Sequence, residues 1–143
     1  MVIIAVPSSG SGGLNEIVSA RFGRCASFTF ITVENNEIKE VKSMPNPASD
    51  VMGGAGIHAA QVIANNNADG LIVGFLGPNA AQSLSALNIK IYQAPDKQLT
   101  VKEAMDLYLK GNLQTISSAN VGAHYGMGRG RGRGGGMGRR SNF

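Results

Sequence analysis

Three short stretches of this chain combine glycine with groups that could hold a ligand. They are Phe22-Gly23-Arg24-Cys25, Gly53-Gly54-Ala55-Gly56-Ile57-His58 and Gly74-Phe75-Leu76-Gly77-Pro78-Asn79. In the second and third, glycines precede apolar residues at helical spacing, so each reads as a loop opening into a helix whose first N–H groups lack intrahelical partners. Such a start attracts negative charge, because the free N–H groups and the helix dipole act together. Arg24 adds a fixed cation. Cys25 and His58 add a thiol and an imidazole, donors suited to soft and borderline metals. One Cys and one His fall far short of the four donors of a closed zinc site, so any metal should arrive as a preassembled cluster or bind between subunits. The candidate binding residues are Ser8, Gly10, Arg24, Gly53, Gly54, Gly56, Gly77 and Asn79, with Cys25 and His58 as candidate metal ligands. Each also has a plainer reading: tight turns for the glycines, a small buried hydrophobe for Cys25, and an exposed polar residue in a first helical turn for His58.

The elements that must position these residues follow from the apolar pattern. Val2–Val6 is a continuous apolar run closed by Pro7, as in a strand buried on both faces, and Ser8–Gly13 is a glycine-rich loop. Leu14–Phe22 reads as irregular or as one short turn. Phe28–Val33 and Ile38–Val41 flank Asn35-Asn36, which tolerates the positive φ of a tight hairpin. From Gly54 the period becomes helical, with Ile57, Ala60 and Ala64 forming an apolar stripe beside Ala59 and Ile63. Leu71–Phe75 is a buried strand, Pro78 opens a second helix, Ile89–Tyr92 is the fifth strand, and Thr100-Val101-Lys102-Glu103 is a capping box before a third helix stopped by Gly111. The order β-β-β-α-β-α-β-α predicts an α/β fold: a mixed five-stranded sheet of order 3-2-1-4-5, strand 2 antiparallel, with helices on both faces. That order gathers the Ser8–Gly13 loop, Arg24-Cys25, Met52–His58 and Gly74–Asn79 at one sheet edge, where open α/β sheets bind ligands.

Composition limits the alternatives. A chain of 143 residues with 43% hydrophobic content can bury one core. No apolar run approaches the ~20 residues of a membrane span, and the N-terminus reads as a strand and not as a signal peptide. A single cysteine fits a reducing, cytoplasmic setting. The net charge of +4 belongs to the C-terminal appendage, which holds Arg129, Arg131, Arg133, Arg139 and Arg140; eight basic residues against nine acids leave residues 1–121 at −1. The expected division is therefore a domain over 1–111 and a disordered Gly/Arg-rich tail over 112–143. Such a tail could bind RNA or another single strand weakly and in a salt-dependent way, and that is the alternative function. Its arginines lack an interleaved aromatic ladder, and nucleic acid is otherwise not an expected partner.

Together the Val-Pro start, Phe22-Gly23-Arg24-Cys25 with Phe28, Gly53-Gly54-Ala55-Gly56, Ala59-Ala60-Gln61 and Gly77-Pro78-Asn79-Ala80 resemble the dinitrogenase iron-molybdenum cofactor biosynthesis family, in its NifX-like and NifB C-terminal-domain-like members. The resemblance runs from residue 2 to about 110 and leaves the tail out. It implies a ribonuclease H-like three-layer α/β/α fold. It also implies an accessory protein that is not an enzyme and that carries or inserts an anionic iron–sulfur or molybdenum–sulfur cluster, bound transiently and not needed for folding. The partner implied is an assembly or acceptor protein, with no membrane, and a homodimer is allowed. Nuclease chemistry, which that fold also supports, needs carboxylates on the first strand to hold two metal ions, and Val2–Val6 has none.

Overall fold

The computed structural model describes residues 1–19, 21–48 and 53–116. Its elements are β1 (Val2–Ser8), β2 (Ser27–Glu34), β3 (Glu37–Pro45), α1 (Ala55–Asn65), β4 (Gly70–Val73), α2 (Pro78–Ala86), β5 (Lys90–Gln93), α3 (Val101–Leu109) and β6 (Gln114–Ile116). They form one sheet of order β3-β2-β1-β4-β5-β6. β2 runs antiparallel to β1 and β3, while β4 and β5 run parallel to β1. The ribonuclease H-like fold and the order of the first five strands are as the sequence predicts.

The two sides of the sheet have separate cores. Ala5, Phe28, Phe30, Leu71 and Val73 face α1 and α2, where Ala59, Ala60, Ile63, Ala81 and Leu84 meet them. Ile4, Val6, Ile31, Val33 and Ile72 face α3 and pack on Val101, Ala104 and Met105. This alternation is the period-2 side-chain rule acting on strands that are apolar in both registers. The β2–β3 hairpin turns through Asn35 and Asn36 at φ 55° and 64°, the left-handed pair that a two-residue turn requires.

Three local expectations change. The sheet has six strands and not five: Gln114–Ile116 pairs antiparallel with β5, within the stretch assigned to the tail. An edge strand needs only one partner and little apolar content, and here Leu113 and Ile116 pack partly on opposite cores. β1 continues past Pro7 to Ser8, because Pro7 still offers its carbonyl, which accepts the Ser19 N–H at 2.8 Å. β3 runs on to Pro45, beyond the expected end at Val41. The arginine-rich part of the tail lies outside the described residues. No helix among those described is long and apolar enough to cross a membrane.

Candidate functional site

The ends of β1, β3 and β4 and the start of β2 share one edge of the sheet. On the α1/α2 side of that edge lies a cleft of about 420 Å³, built from Arg21–Arg24, Gly54–Ile57 and Phe75–Ala80. Two glycines allow its walls to meet. A Cβ on Gly23 would lie 2.8 Å from the Gly56 nitrogen, so only glycine lets the Phe22–Cys25 loop press against the start of α1. A Cβ on Gly56 would lie 2.9 Å from the Ala80 Cβ, so this glycine serves the close approach of the two helix starts.

Both helices open on glycine: Gly54 and Gly77 occupy their N-cap positions, among the described residues no side chain caps either start, and neither first turn holds an acid. The first intrahelical bonds run from His58 N–H to Gly54 O at 2.9 Å and from Ala81 N–H to Gly77 O at 3.0 Å. The N–H groups of Ala55, Gly56 and Ile57, and of Asn79 and Ala80, therefore have no acceptor within their helices. Arg21 and Arg24 line the same cleft, and no carboxylate does among the described residues. Phe22, Ile57, Phe75 and Leu76 supply apolar wall, with Ile57 and Phe75 48% and 42% exposed at the rim. The arrangement can attract an anion and give it hydrogen bonds and a partly dry seat.

Of the residues singled out in the sequence, Arg24, Gly54, Gly56, Gly77 and Asn79 line this cleft together. Gly53 is an exposed neighbour of Gly54 and does not line it. Ser8 lies on the other face of the sheet, fully buried, with its Oγ 2.8 Å from Ser27 Oγ and 2.9 Å from Thr29 Oγ1. Gly10 belongs to the loop on that same side, at φ 56°, where a Cβ would lie 2.7 Å from Glu16 Oε2. His58 is exposed on α1 and is not among the lining residues.

Cys25 is 2% exposed in the α1/α2 core, and its Sγ donates to Phe22 O at 3.3 Å. Burial pushes the thiol up to about 11, only partly offset by the Asn46 side-chain hydrogen bond, so it stays protonated at neutral pH. Among the described residues no three or more His, Cys, Asp or Glu gather as a metal site.

Sequence reasoning passed over Arg21, Phe75 and the position of Ile57. Arg21 stands directly before a motif already singled out. Ile57 was expected on the buried stripe of α1, yet it occupies the first turn, ahead of the point where α1 meets the sheet, and faces the cleft.

The fold and the cleft at its strand ends define a three-layer α/β/α domain of ribonuclease H-like architecture that lacks the carboxylates of a nuclease on β1. The chain belongs to the family described as dinitrogenase iron-molybdenum cofactor, whose model matches residues 1–111. A relative from Methanocaldococcus jannaschii, the uncharacterized protein MJ0580, is 35% identical over 100 residues, 70% of this chain and 83% of its own. Among solved structures, the apo form of the orange protein (ORP) from Desulfovibrio gigas matches with a TM-score of 0.73 at 37% identity, covering 81% of this chain and 93% of that one. The Thermotoga protein TM1290, named as a candidate NifB protein, matches with a TM-score of 0.67 at 30% identity, covering 80% and 93%.

Proposed function

We propose that this domain binds a preassembled, anionic iron–sulfur or molybdenum–sulfur cluster in the cleft and passes it to an acceptor protein of metallocofactor assembly in the cytoplasm, with no catalytic step of its own. The observation that carries this reading is that two helix starts on glycine and two arginines line one cleft, with no carboxylate lining it among the described residues. A cluster that completes its own metal coordination presents sulfide to the protein. Sulfide accepts N–H bonds and carries negative charge, and its polarizable surface suits the Phe22, Ile57, Phe75 and Leu76 walls.

In this reading the chain holds the cargo by charge and hydrogen bonds and not by ligation, because the Cys25 thiol faces the core and His58 stands outside the cleft. Release then needs no bond to the chain to break. The exposed Ile57 and Phe75 would be covered by the acceptor. The family description supports a tie to the iron–molybdenum cofactor, and the orange protein's apo designation supports a ligand-bearing form of that relative.

Tetrathiomolybdate is a direct probe. Added to labelled protein, it should shift the amide resonances of Gly54, Ala55, Gly56, Ile57, Asn79 and Ala80 and leave Asn35 and Asn36, at the opposite sheet edge, in place. Equal shifts at both edges, or none at the helix starts, would refute the assignment. Protein purified without oxygen should carry iron or molybdenum together with sulfide.

A further inference from the structure

The cleft's cationic loop is held from behind by a buried amide. Asn46, at the exit of β3, is 4% exposed and lines no part of the cleft. Its Nδ2 donates to Gly23 O at 3.1 Å and to Cys25 O at 3.0 Å. Its Oδ1 accepts the Ala48 N–H at 2.9 Å, which fixes the amide's orientation, and its own backbone N–H donates to Ala26 O at 3.1 Å. Cys25 Sγ adds a donor to Phe22 O at 3.3 Å.

The carbonyls of Phe22, Gly23, Cys25 and Ala26 thus all bond to groups of Cys25 or Asn46 that lie inside the protein. That direction matters for an anion. A carbonyl oxygen turned to the cleft would place negative charge beside the ligand and oppose Arg21 and Arg24. With these four carbonyls turned inward, Arg21 and Arg24 line the cleft without those oxygens beside them. Gly23 then seats the loop against α1, and the amide holds it there from the other side.

We infer that Asn46 is the positioning residue of the anion site, keeping the Gly23, Cys25 and Ala26 carbonyls out of the cleft, with the Cys25 thiol holding the Phe22 carbonyl as a second donor in the same clamp. The inference deepens the proposed function and rests on it for the ligand, but the clamp itself can be read without one. It gives the cysteine a role as a donor. The raised pKa fits that role, since only the protonated thiol donates.

The test compares the full chain with Asn46→Ala, Cys25→Ala and Cys25→Ser by two readouts well below each protein's unfolding temperature. One is tetrathiomolybdate titration; the other is amide hydrogen exchange at Gly23, Arg24 and Ala26. Asn46→Ala should weaken binding roughly tenfold, the scale of losing a hydrogen-bonded orienting group, and speed exchange in the loop while Leu71 and Ile72 in β4 stay protected. Cys25→Ala should weaken binding less, and Cys25→Ser, which keeps a donor, should restore it. Folded Asn46→Ala with wild-type affinity and unchanged loop exchange would overturn the inference, as would exchange that rises equally in β4. If Asn46→Ala does not fold, the Cys25→Ala and Cys25→Ser pair decides: equal affinity for both overturns the thiol's part in the clamp. If the wild-type chain binds no tetrathiomolybdate, the anion reading fails, and loop exchange alone decides the clamp.

Discussion

Helix α3 begins with its first-turn N–H groups paired, whereas α1 and α2, on the other face of the same sheet, begin on bare glycines. Val101 N–H donates to Glu16 O at 2.8 Å, Lys102 N–H to Leu14 O at 2.9 Å and Glu103 N–H to Thr100 Oγ1 at 3.1 Å, while Glu103 Oε1 accepts from Thr100 N–H at 2.8 Å. Around this closed start the hydroxyls of Ser8, Ser27 and Thr29 bond one another, and the Thr29 hydroxyl also takes the Gly13 N–H. On the open face no side chain caps either helix among the described residues. A side-chain cap is worth about 1 kcal/mol, so the two faces differ in how their helix starts are stabilised. The contrast is between a helix start closed by side-chain and backbone bonds and two starts on glycine that meet at the proposed site.

The largest expected effect breaks the open face mechanically. Gly23→Ala places a methyl against the backbone of Gly56 and Ala55, where a flexible side chain cannot yield. It should cost about 3 kcal/mol in denaturant unfolding and displace the start of α1. Full stability would show that the loop is not seated on that helix.

Next comes pH. The folded Cys25 thiol titrates near 11 against an ordinary 9.0, so the unfolded state loses its proton first. Stability present below pH 9 should therefore fall as pH rises through 11, by about 2–3 kcal/mol from this group. Cys25→Ser should lack that part of the slope. An identical alkaline profile would place the thiol in solvent.

Truncation gives a smaller effect and sharpens the edge of the domain. Ending the chain after Gly111 removes β6 with the half-buried Leu113 and Ile116 and should cost about 2 kcal/mol. Ending it after Ile116 should cost almost nothing and leave tetrathiomolybdate binding intact, whereas any affinity for single-stranded nucleic acid should vanish with the five tail arginines. β6 runs antiparallel to β5, with Gln114 opposite Gln93 and Ile116 opposite Ile91, so the strand itself runs away from the sheet edge that bears the cleft. Loss of anion binding in the longer truncation would contradict a site made by the domain alone.

The sequence made the sheet order and all three helix starts legible, because apolar period, Pro78 and the Thr100–Glu103 box are local signals. It did not reveal β6, whose three residues have one partner strand and no pattern of their own. Nor could it tell which face the Ser8–Gly13 loop takes: that depends on Ser8 sharing the side of Ile4 and Val6, a parity set by a strand that continues through Pro7. The same limit explains Cys25. It precedes β2, where no strand alternation fixes its direction, and it turns inward because Phe22 O and Asn46 bond it there. Arg24, Gly54, Gly56, Gly77 and Asn79 were legible as a set because each sits at a loop that the strand order brings to one edge.

The central claim is that the open helix starts exist for an anion, and closing one of them tests it most directly. Gly77 is extended at φ −74°, with nothing within 4 Å of where a Cβ would stand, so Gly77→Asp can cap α2 without a clash. Its carboxylate should take the first-turn N–H groups and raise stability by about 0.5 kcal/mol. Thr100→Ala on the closed face is the matched control and should lower stability by about 1 kcal/mol. Tetrathiomolybdate titration of the two, with thermal unfolding alongside, should show Gly77→Asp binding at least roughly tenfold more weakly while unfolding no earlier than wild type, and Thr100→Ala binding normally while unfolding earlier. Wild-type affinity in Gly77→Asp, or weakened binding in Thr100→Ala, would contradict the account.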